Sequence, residues 1–463
     1  MTAGANRRIL PPLLLGMFAR ALQLTIIGPS LLVISKSLSA SLADVGWIMA
    51  LYATGSLVAQ PIAGRISDAR GRKFAFVAAV AVFGIGSVAC AVSRSLAALI
   101  VGRIIQSFGA GAVAPTATAI VGEFVPAKKQ GAALGAIYGM FALAAVIGSV
   151  VGGALIDGGT WIAAHHLLTG ALRDELAAYP WHLIFWINVP LAIAALWLCA
   201  GLPADRRARM PVAIDAGAVG ALAGIAACLM LSALSAPAAA IAWLAGAALL
   251  GAFLVLWERA AAAPLIDPSL FGARGPALVY AVALLSGIPI YSITMYGAAY
   301  YMEQFHASAA QAGIAMLALG IPLGVGLGVG GKLINRIGAK LTLIAGAAAL
   351  VAGDAMMAGT AGKIGVVAAF ALCGLAMGLV TAAPNILMFS YVPADRKGAA
   401  TGLLTMFGAT GAITAPAAVT AFLHYGPSSV AENFRLEFAA AVVLAAACLP
   451  LIAALPTSVK ATA

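Results

Sequence analysis

The chain has 463 residues, of which 63% are hydrophobic and only 9% charged, with a mean hydropathy of +1.05. A chain this apolar cannot keep its segments in water, which excludes a soluble enzyme or a soluble binding module. The net charge of +11 reflects 26 Lys and Arg against 15 Asp and Glu. The basic residues lie mostly between the apolar stretches, so the charge reads as membrane topology and not as a nucleic-acid surface.

Fourteen apolar stretches, each about 20 residues or longer and so able to cross roughly 30 Å of hydrocarbon as a helix, are predicted. In chain order they cover 10–34, 44–64, 74–93, 97–122, 131–156, 181–201, 214–234, 238–257, 275–301, 308–331, 340–361, 364–390, 398–424 and 435–456. Arg7, Arg8, a short apolar run and Ala19-Arg20-Ala21 outline a secretory signal, but the run continues to Ile34 and is read as the first span. With the amino terminus inside, nineteen of the 26 basic residues are cytoplasmic. Lys36, Arg94, Arg173, Lys363 and Arg435 lie outside, and Arg20 and Arg103 lie within helices. Both termini are therefore expected in the cytoplasm.

The outer loop 158–180 is long, and Leu168, Leu172, Leu176 and Tyr179 share one helical face, which predicts a short helix on the outer membrane surface. His165 and His166 adjoin, but helix neighbours diverge by about 100° and no i+4 ligand follows, so no metal site is expected. The five cysteines all fall in predicted spans without metal-type spacing and read as apolar filler. Spans seven and eight carry no charge between Asp215 and Glu258 and look like spacers.

The segment GRISDARGRK from Gly64 to Lys73 returns in outline as GKLINRIGAK from Gly331 to Lys340, 267 residues later. At the same separation VPAKKQGAALG from Val125 returns as VPADRKGAATG from Val392. Two matches at one offset indicate a duplicated architecture of parallel repeats, related by an axis along the membrane normal, with a substrate path expected between them. The domains are a first six-helix half (1–201), a linker with two extra spans (202–274) and a second six-helix half (275–463).

These residues resemble the major facilitator superfamily. GRISDARGRK is similar to its motif A, with Gly64, Asp68, Gly71, Arg72 and Lys73 in place, and Arg103 and Gln106 in RIIQSFGAG resemble motif B, with Ser107 where a glycine is usual. Gly135, Gly148, Gly152 and Gly153 resemble motif C of the antiporter branch, although Ser149 replaces its proline and Ala144 a glycine. The runs WHLIFWINVPL from Trp181 and ERAAAAPLIDPSLF from Glu258 are similar to signatures of the fourteen-span drug:proton antiporters. The resemblance implies an all-α integral membrane protein of the major facilitator fold, in a bacterial inner (plasma) membrane.

Several site residues follow from it. The motif A set with Glu123 would form a conformational latch, Asp68 holding Arg72 and the glycines permitting close backbone approach. The second copy, with Asn335 for Asp68, would be electrostatically weaker. The motif C glycines would give span five a smooth face that meets span ten and seals the cytoplasmic side. Family members carry an acid in span one, where this chain has Gln23. Counted along the helices, Gln23 and Arg103 reach similar depth, and so do Arg20 and Gln106. Two readings stand: an electropositive cavity for an anionic headgroup, or Arg103 as a structural hydrogen-bond hub with Arg20 reaching cavity water. The facing wall would come from Tyr291, Thr294, Met295 and Tyr300 of span nine and Thr381, Asn385, Met388 and Phe389 of span twelve. Asp354, in span eleven, is expected to be structural, and Asp44 and Glu303 to be caps or rim charges.

No nucleotide loop, catalytic triad or soluble catalytic domain is present, so the chain is not expected to be an enzyme or to hold a cofactor. The expected function is export of amphipathic small molecules by alternating access, driven by a proton gradient. The alternatives are transport of an anionic lipid or metabolite and a non-transporting sensor. The expected partners are a small-molecule substrate and membrane lipids, with no nucleic acid, and the chain is expected to be a monomer.

Overall fold

Serine caps and two glycine turns cut the apolar chain into helices. The computed structural model describes residues 3–165, 169–203, 215–235, 237–260, 268–360, 362–392, 397–426 and 429–456, and every regular element among them is helical. The first half comprises α1 (Ala3–Thr25), α2 (Leu31–Ser37), α3 (Leu42–Arg70), α4 (Arg72–Ala91), α5 (Leu96–Phe124), α6 (Ala127–Ala164), α7 (Ala171–Ala178), α8 (Leu183–Trp186) and α9 (Asn188–Leu198). The connecting α10 (Ala216–Leu234) and α11 (Pro237–Ala260) follow. The second half comprises α12 (Arg274–Phe305), α13 (Ala309–Ala315), α14 (Leu317–Ile337), α15 (Ala339–Gly359), α16 (Lys363–Tyr391), α17 (Lys397–Tyr425) and α18 (Val430–Ala453). The side chains of Ser41, Ser95 and Ser429 accept from Asp44, Ala98 and Glu432 amides, which starts α3, α5 and α18.

Twelve helices among the described residues are long and apolar enough to cross a membrane, and thirteen if the bent pair Ile9–Thr25 and Gly28–Ser37 is one span. The expected count of fourteen is not reached. The stretch expected as span seven forms α10 (Ala216–Leu234), whose apolar part is described over Ala216–Ser232. Isolated large apolar side chains face outward, among them Ile85, Trp197, Leu249, Ile364 and Val443, as lipid contact requires.

The 41° bend in the first span has a specific cause. In a continuous helix the Thr25 carbonyl would accept from residue 29, which is Pro29 and has no N–H. Ser149 Oγ of α6 donates to that carbonyl instead, at 3.1 Å, and Thr25 Oγ1 donates to the Ala144 carbonyl at 3.2 Å. The glycines beside Ser149 make this approach possible. A methyl group on Gly148 would strike Thr25 Oγ1, one on Gly152 the Ile26 carbonyl, and one on Gly153 the Ala309 carbonyl.

Two units form. One is Met1–Ala223 with Ser308–Gly313, the other Gly224–Ala307 with Ile314–Ala463. Within the first, α5 packs on α3 and α4, α1 on α6 and α9, and α4 on α9. Within the second, α16 packs on α14 and α15, α12 on α17 and α18, and α15 on α18. The neighbour pattern of one unit is thus repeated, span for span, in the other. Each unit has an apolar core, around Phe76, Val113 and Ile120 in the first and around Leu343, Leu387 and Ile452 in the second.

The loop helix α7 is tied down by charge. Glu175 accepts from Arg94 at 2.7 Å and stands 3.0 Å from His182 Nδ1, while His182 Nε2 meets the Ser93 carbonyl at 2.7 Å. Leu176 faces Gly159 of α6, Leu172 is exposed, and Leu168 and His166 lie outside the described residues.

Substitution at the bend has a clear expected outcome. Gly152→Ala drives a methyl into the Ile26 carbonyl and lowers stability by about 1–3 kcal/mol. Gly158→Ala, where nothing lies within 4 Å, is neutral or slightly stabilising. Thermal unfolding of the two variants in detergent checks the difference.

Candidate functional site

Arg103, on α5, is fully buried, together with Gln23 of α1 and Gln106 of α5. Its Nε donates to the Ile48 carbonyl at 3.1 Å, and Nη1 donates to Gln23 Oε1 at 3.2 Å and to Gln106 Oε1 at 2.8 Å. Gln106 Nε2 passes the chain on to Ser87 Oγ of α4 at 2.8 Å, and Gln23 Nε2 donates to the Ile184 carbonyl at 3.3 Å. The guanidinium lies 3.9 Å from the Tyr52 ring centroid, an additional attraction for a cation removed from water. Among the described residues no carboxylate pairs with Arg103, and its Nη2 has no partner.

The expected meeting of Gln23 with Arg103 is therefore present, but Gln106 does not reach Arg20. The i, i+3 spacing on α5 places Gln106 over Arg103 itself. Arg20 is half-buried and lies within electrostatic reach of Tyr52, with no hydrogen bond or ion pair among the described residues. Tyr52, Ser87 and the Ile48 and Ile184 carbonyls escaped the sequence reading, since carbonyls leave no trace in residue type. A buried cation calls for an aromatic face, which was the available hint for Tyr52.

The network needs close helix contact. A methyl group on Gly86 of α4 would collide with the Gln106 backbone, and one on Gly109 of α5 with that of Phe83. Small residues at these positions let α4 and α5 bring Ser87 and Gln106 within hydrogen-bond range.

The turn between α3 and α4 gathers the expected latch. Arg72 pairs with Asp68 at 2.6 Å and Glu123 at 3.3 Å and donates to Ser67 Oγ at 3.0 Å. Gly71 has φ +104° and ψ 156°, a conformation essentially confined to glycine. Gly64 differs from expectation: a methyl group there would meet nothing within 4 Å, so no close backbone approach occurs at that position. Lys73 Nζ donates to the Leu202 carbonyl at 2.9 Å, capping the end of the last helix of its half.

Of the latch residues the copy of this turn keeps both glycines, as Gly331 and Gly338, and the lysine, as Lys340. Gly338 has φ +87°, and Lys340 Nζ donates to the Ala453 and Leu455 carbonyls at 2.8 and 2.7 Å. Asn335, Ala339 and Ser390 stand where the first turn has Asp68, Arg72 and Glu123. All three ion-pairing positions are lost.

The profile of the Major Facilitator Superfamily matches residues 13–257 and 279–462. The chain belongs to the major facilitator superfamily. It is 28% identical over 441 residues to the MFS-type transporter YfiU of Bacillus subtilis, covering 91% of this chain and 81% of that protein. It is 29% identical over 420 residues to the tetracenomycin C resistance and export protein of Streptomyces glaucescens, covering 87% and 73%. A bacterial homolog of the human lysosomal transporter Spinster, solved in an inward-facing, unoccupied conformation, shares the fold at a TM-score of 0.72 and 17% identity, with 98% and 97% of the chains covered. The protein is thus a multi-pass membrane transporter of the superfamily.

The motif C glycines of this superfamily member lie in the second part of α6, at the end away from the Gly71 turn, and meet α1 and the start of α13 there. The surroundings of Gly135 lie outside the described residues. In the second half Met295, Tyr300 and Met388 are buried in helix packing, with the Tyr300 ring between Phe434 and Phe438. Thr294 Oγ1 donates to the Ile290 carbonyl at 2.6 Å and lies 3.9 Å from Met377 Sδ. Thr381 donates to the Met377 carbonyl and Asn385 to the Thr381 carbonyl, so these hydroxyl and amide groups gather along α12 and α16. Tyr291 is half-buried and Phe389 is exposed. The described residues contain no group of three or more potential metal ligands.

Two substitutions test the site. Arg103→Ala deprives three buried acceptors of their donor, at about 1–3 kcal/mol each, and is expected to lower stability by about 3–5 kcal/mol in thermal unfolding. Gly71→Ala forces a side chain into glycine-only backbone space and costs about 1–3 kcal/mol. Gly64→Ala, in open space, leaves the melting temperature unchanged or slightly raised.

Proposed function

We propose that this transporter exports amphipathic small molecules by alternating access, in exchange for protons, with both termini in the cytoplasm of a bacterial cell. The observation that carries the reading is the glycine face of α6. Gly148 packs on the Thr25 hydroxyl, Gly152 on the Ile26 carbonyl and Gly153 on the Ala309 carbonyl, at the end of α6 away from the Gly71 turn, whereas the expected face meets span ten at the cytoplasmic side. The similarity to a tetracenomycin C export protein over most of both chains supports the same direction of transport.

Ser149 fits this reading although the motif has a proline there, because its hydroxyl fastens the broken first span to α6. The latch at Arg72 supplies the first half with an ion-paired turn that the second half lacks. Enclosure of Arg103 on all sides favours its role as the hub that fixes α1, α3, α4 and α5 together over that of an open headgroup site.

Purified protein in liposomes, loaded with an amphipathic dye and given an imposed pH gradient, tests the proposal. Dye movement against its own gradient that stops with a protonophore is the expected result. Correctly inserted protein that moves neither dye nor protons would sink the proposal.

A further inference from the structure

At the 267-residue offset both halves carry the same buried contact with opposite charge. Asp354 and Cys373 are the counterparts of Ser87 and Gln106, and Gly353 packs on Cys373 as Gly86 packs on Gln106. Cys373 Sγ donates to Asp354 Oδ1 at 3.8 Å where Gln106 donates to Ser87. The lysine caps align the last spans, Ala200 and Leu202 with Ala453 and Leu455. In that register Glu437 stands where the first half has Ile184. Ser292 Oγ of α12, at the place of Thr25, donates to Glu437 Oε1 at 2.7 Å, so the first and last spans of this half are joined near the level where Gln23 joins those of the first half to Ile184.

Polarity is what changed. The first network holds a cation, Arg103, and no carboxylate; in the second, Phe370 stands at the place of Arg103, and Asp354 and Glu437 bring two carboxyls. Both are buried, at 0% and 2% exposure, and lie within electrostatic reach of each other. Asp354 Oδ2 and Glu437 Oε2 have no hydrogen-bond partner, and no Lys or Arg pairs with either among the described residues. Cys373 of α16 and Ser292 of α12 touch them and Tyr296 of α12 lies within electrostatic reach of Glu437, while Arg435, two residues from Glu437 on α18, donates its Nε to the Ala358 carbonyl at 2.9 Å. An unpaired carboxylate in such a place costs several kcal/mol, and two side by side cost more. A proton removes that cost, and an orphaned oxygen is where it would bind.

We propose that Asp354 and Glu437 form a proton-binding site inside the second half, where one proton held between the two carboxyls sets how α12, α15 and α18 pack. Binding is protonation alone: Asp354 Oδ2 or Glu437 Oε2 forms an O–H bond with a proton given up by a hydronium ion, whose own O–H bond breaks and which leaves as water. Ser292 lies one turn beyond Pro289, whose missing N–H weakens α12 there, so the site grips that helix next to its softest point. This deepens the proton-coupled reading and rests on it for the use of the proton, giving the chain a carboxyl site although Gln23 replaces the acid of the first span.

The test uses full-length protein in lipid nanodiscs without substrate, so its outcome is independent of whether any dye is transported. Infrared pH-difference spectra of wild type, Asp354→Asn, Glu437→Gln and the double variant are compared. The expected result is a protonated-carboxyl band in wild type that shifts in heavy water, diminishes in each single variant and is lost in the double variant. A wild type without such a band, or a band of full strength in a folded double variant, overturns the proposal. A wild-type band abolished at constant pH by sodium ions also overturns it, in favour of a metal-cation site, and this arm needs no variant to fold.

Discussion

Water does not reach the middle of a bilayer to satisfy stray polar groups, so each one placed there must find its partner in the protein. The structure is organised around that requirement. Pro29 deprives the Thr25 carbonyl of its helical donor, and Ser149 on another helix supplies one. Close packing of α6 on the bend follows from this repair, since the hydroxyl reaches only if Gly148 and Gly152 leave room for the backbone beside it. Arg103 obeys the same rule at greater cost. A guanidinium in the core is tolerable because two glutamines, a carbonyl and a tyrosine ring surround it, and those groups come from three helices.

Duplication shows how such a solution drifts. Both halves pack their helices in the same order and hold a polar contact at the same level. The geometry is enforced by backbone shape, through Gly86 in one half and Gly353 in the other, whereas the side chains it brings together are free to change sign. The turns behave likewise. Gly71 and Gly338 are kept because only glycine adopts their conformation readily, while the ion pairs of the first turn have no counterpart in the second.

Much of this was legible in the amino-acid sequence, for identifiable reasons. Apolar length and the 267-residue repeat are properties of chain composition and order, so membrane spanning and two similar halves could be read directly. The depth of Gln23 and Arg103 could be counted because a helix rises by a constant step. Partners that are backbone atoms could not, as with the carbonyls of Ile48 and Ile184. Nor could the direction in which a side chain points: Met295, Tyr300 and Met388 have the chemistry of a binding surface but turn into packing. Glu437 was missed because it sits in the mixed sequence AENFRLEF, where an acid near a helix start looks like an ordinary cap.

The lysine that follows each glycine turn has one more consequence. Lys73 and Lys340 join the second connection of a half to the tail of its last helix, so the ends of a chain segment of well over a hundred residues are drawn together by a single ammonium group. The part of each half that follows its glycine turn is thereby a closed hoop. Displacing one helix in a hoop shifts the load to both of its neighbours at once, whereas an open row of helices could peel apart from its free end. A lysine at the rim can in this way supply mechanical integrity without taking part in the buried networks.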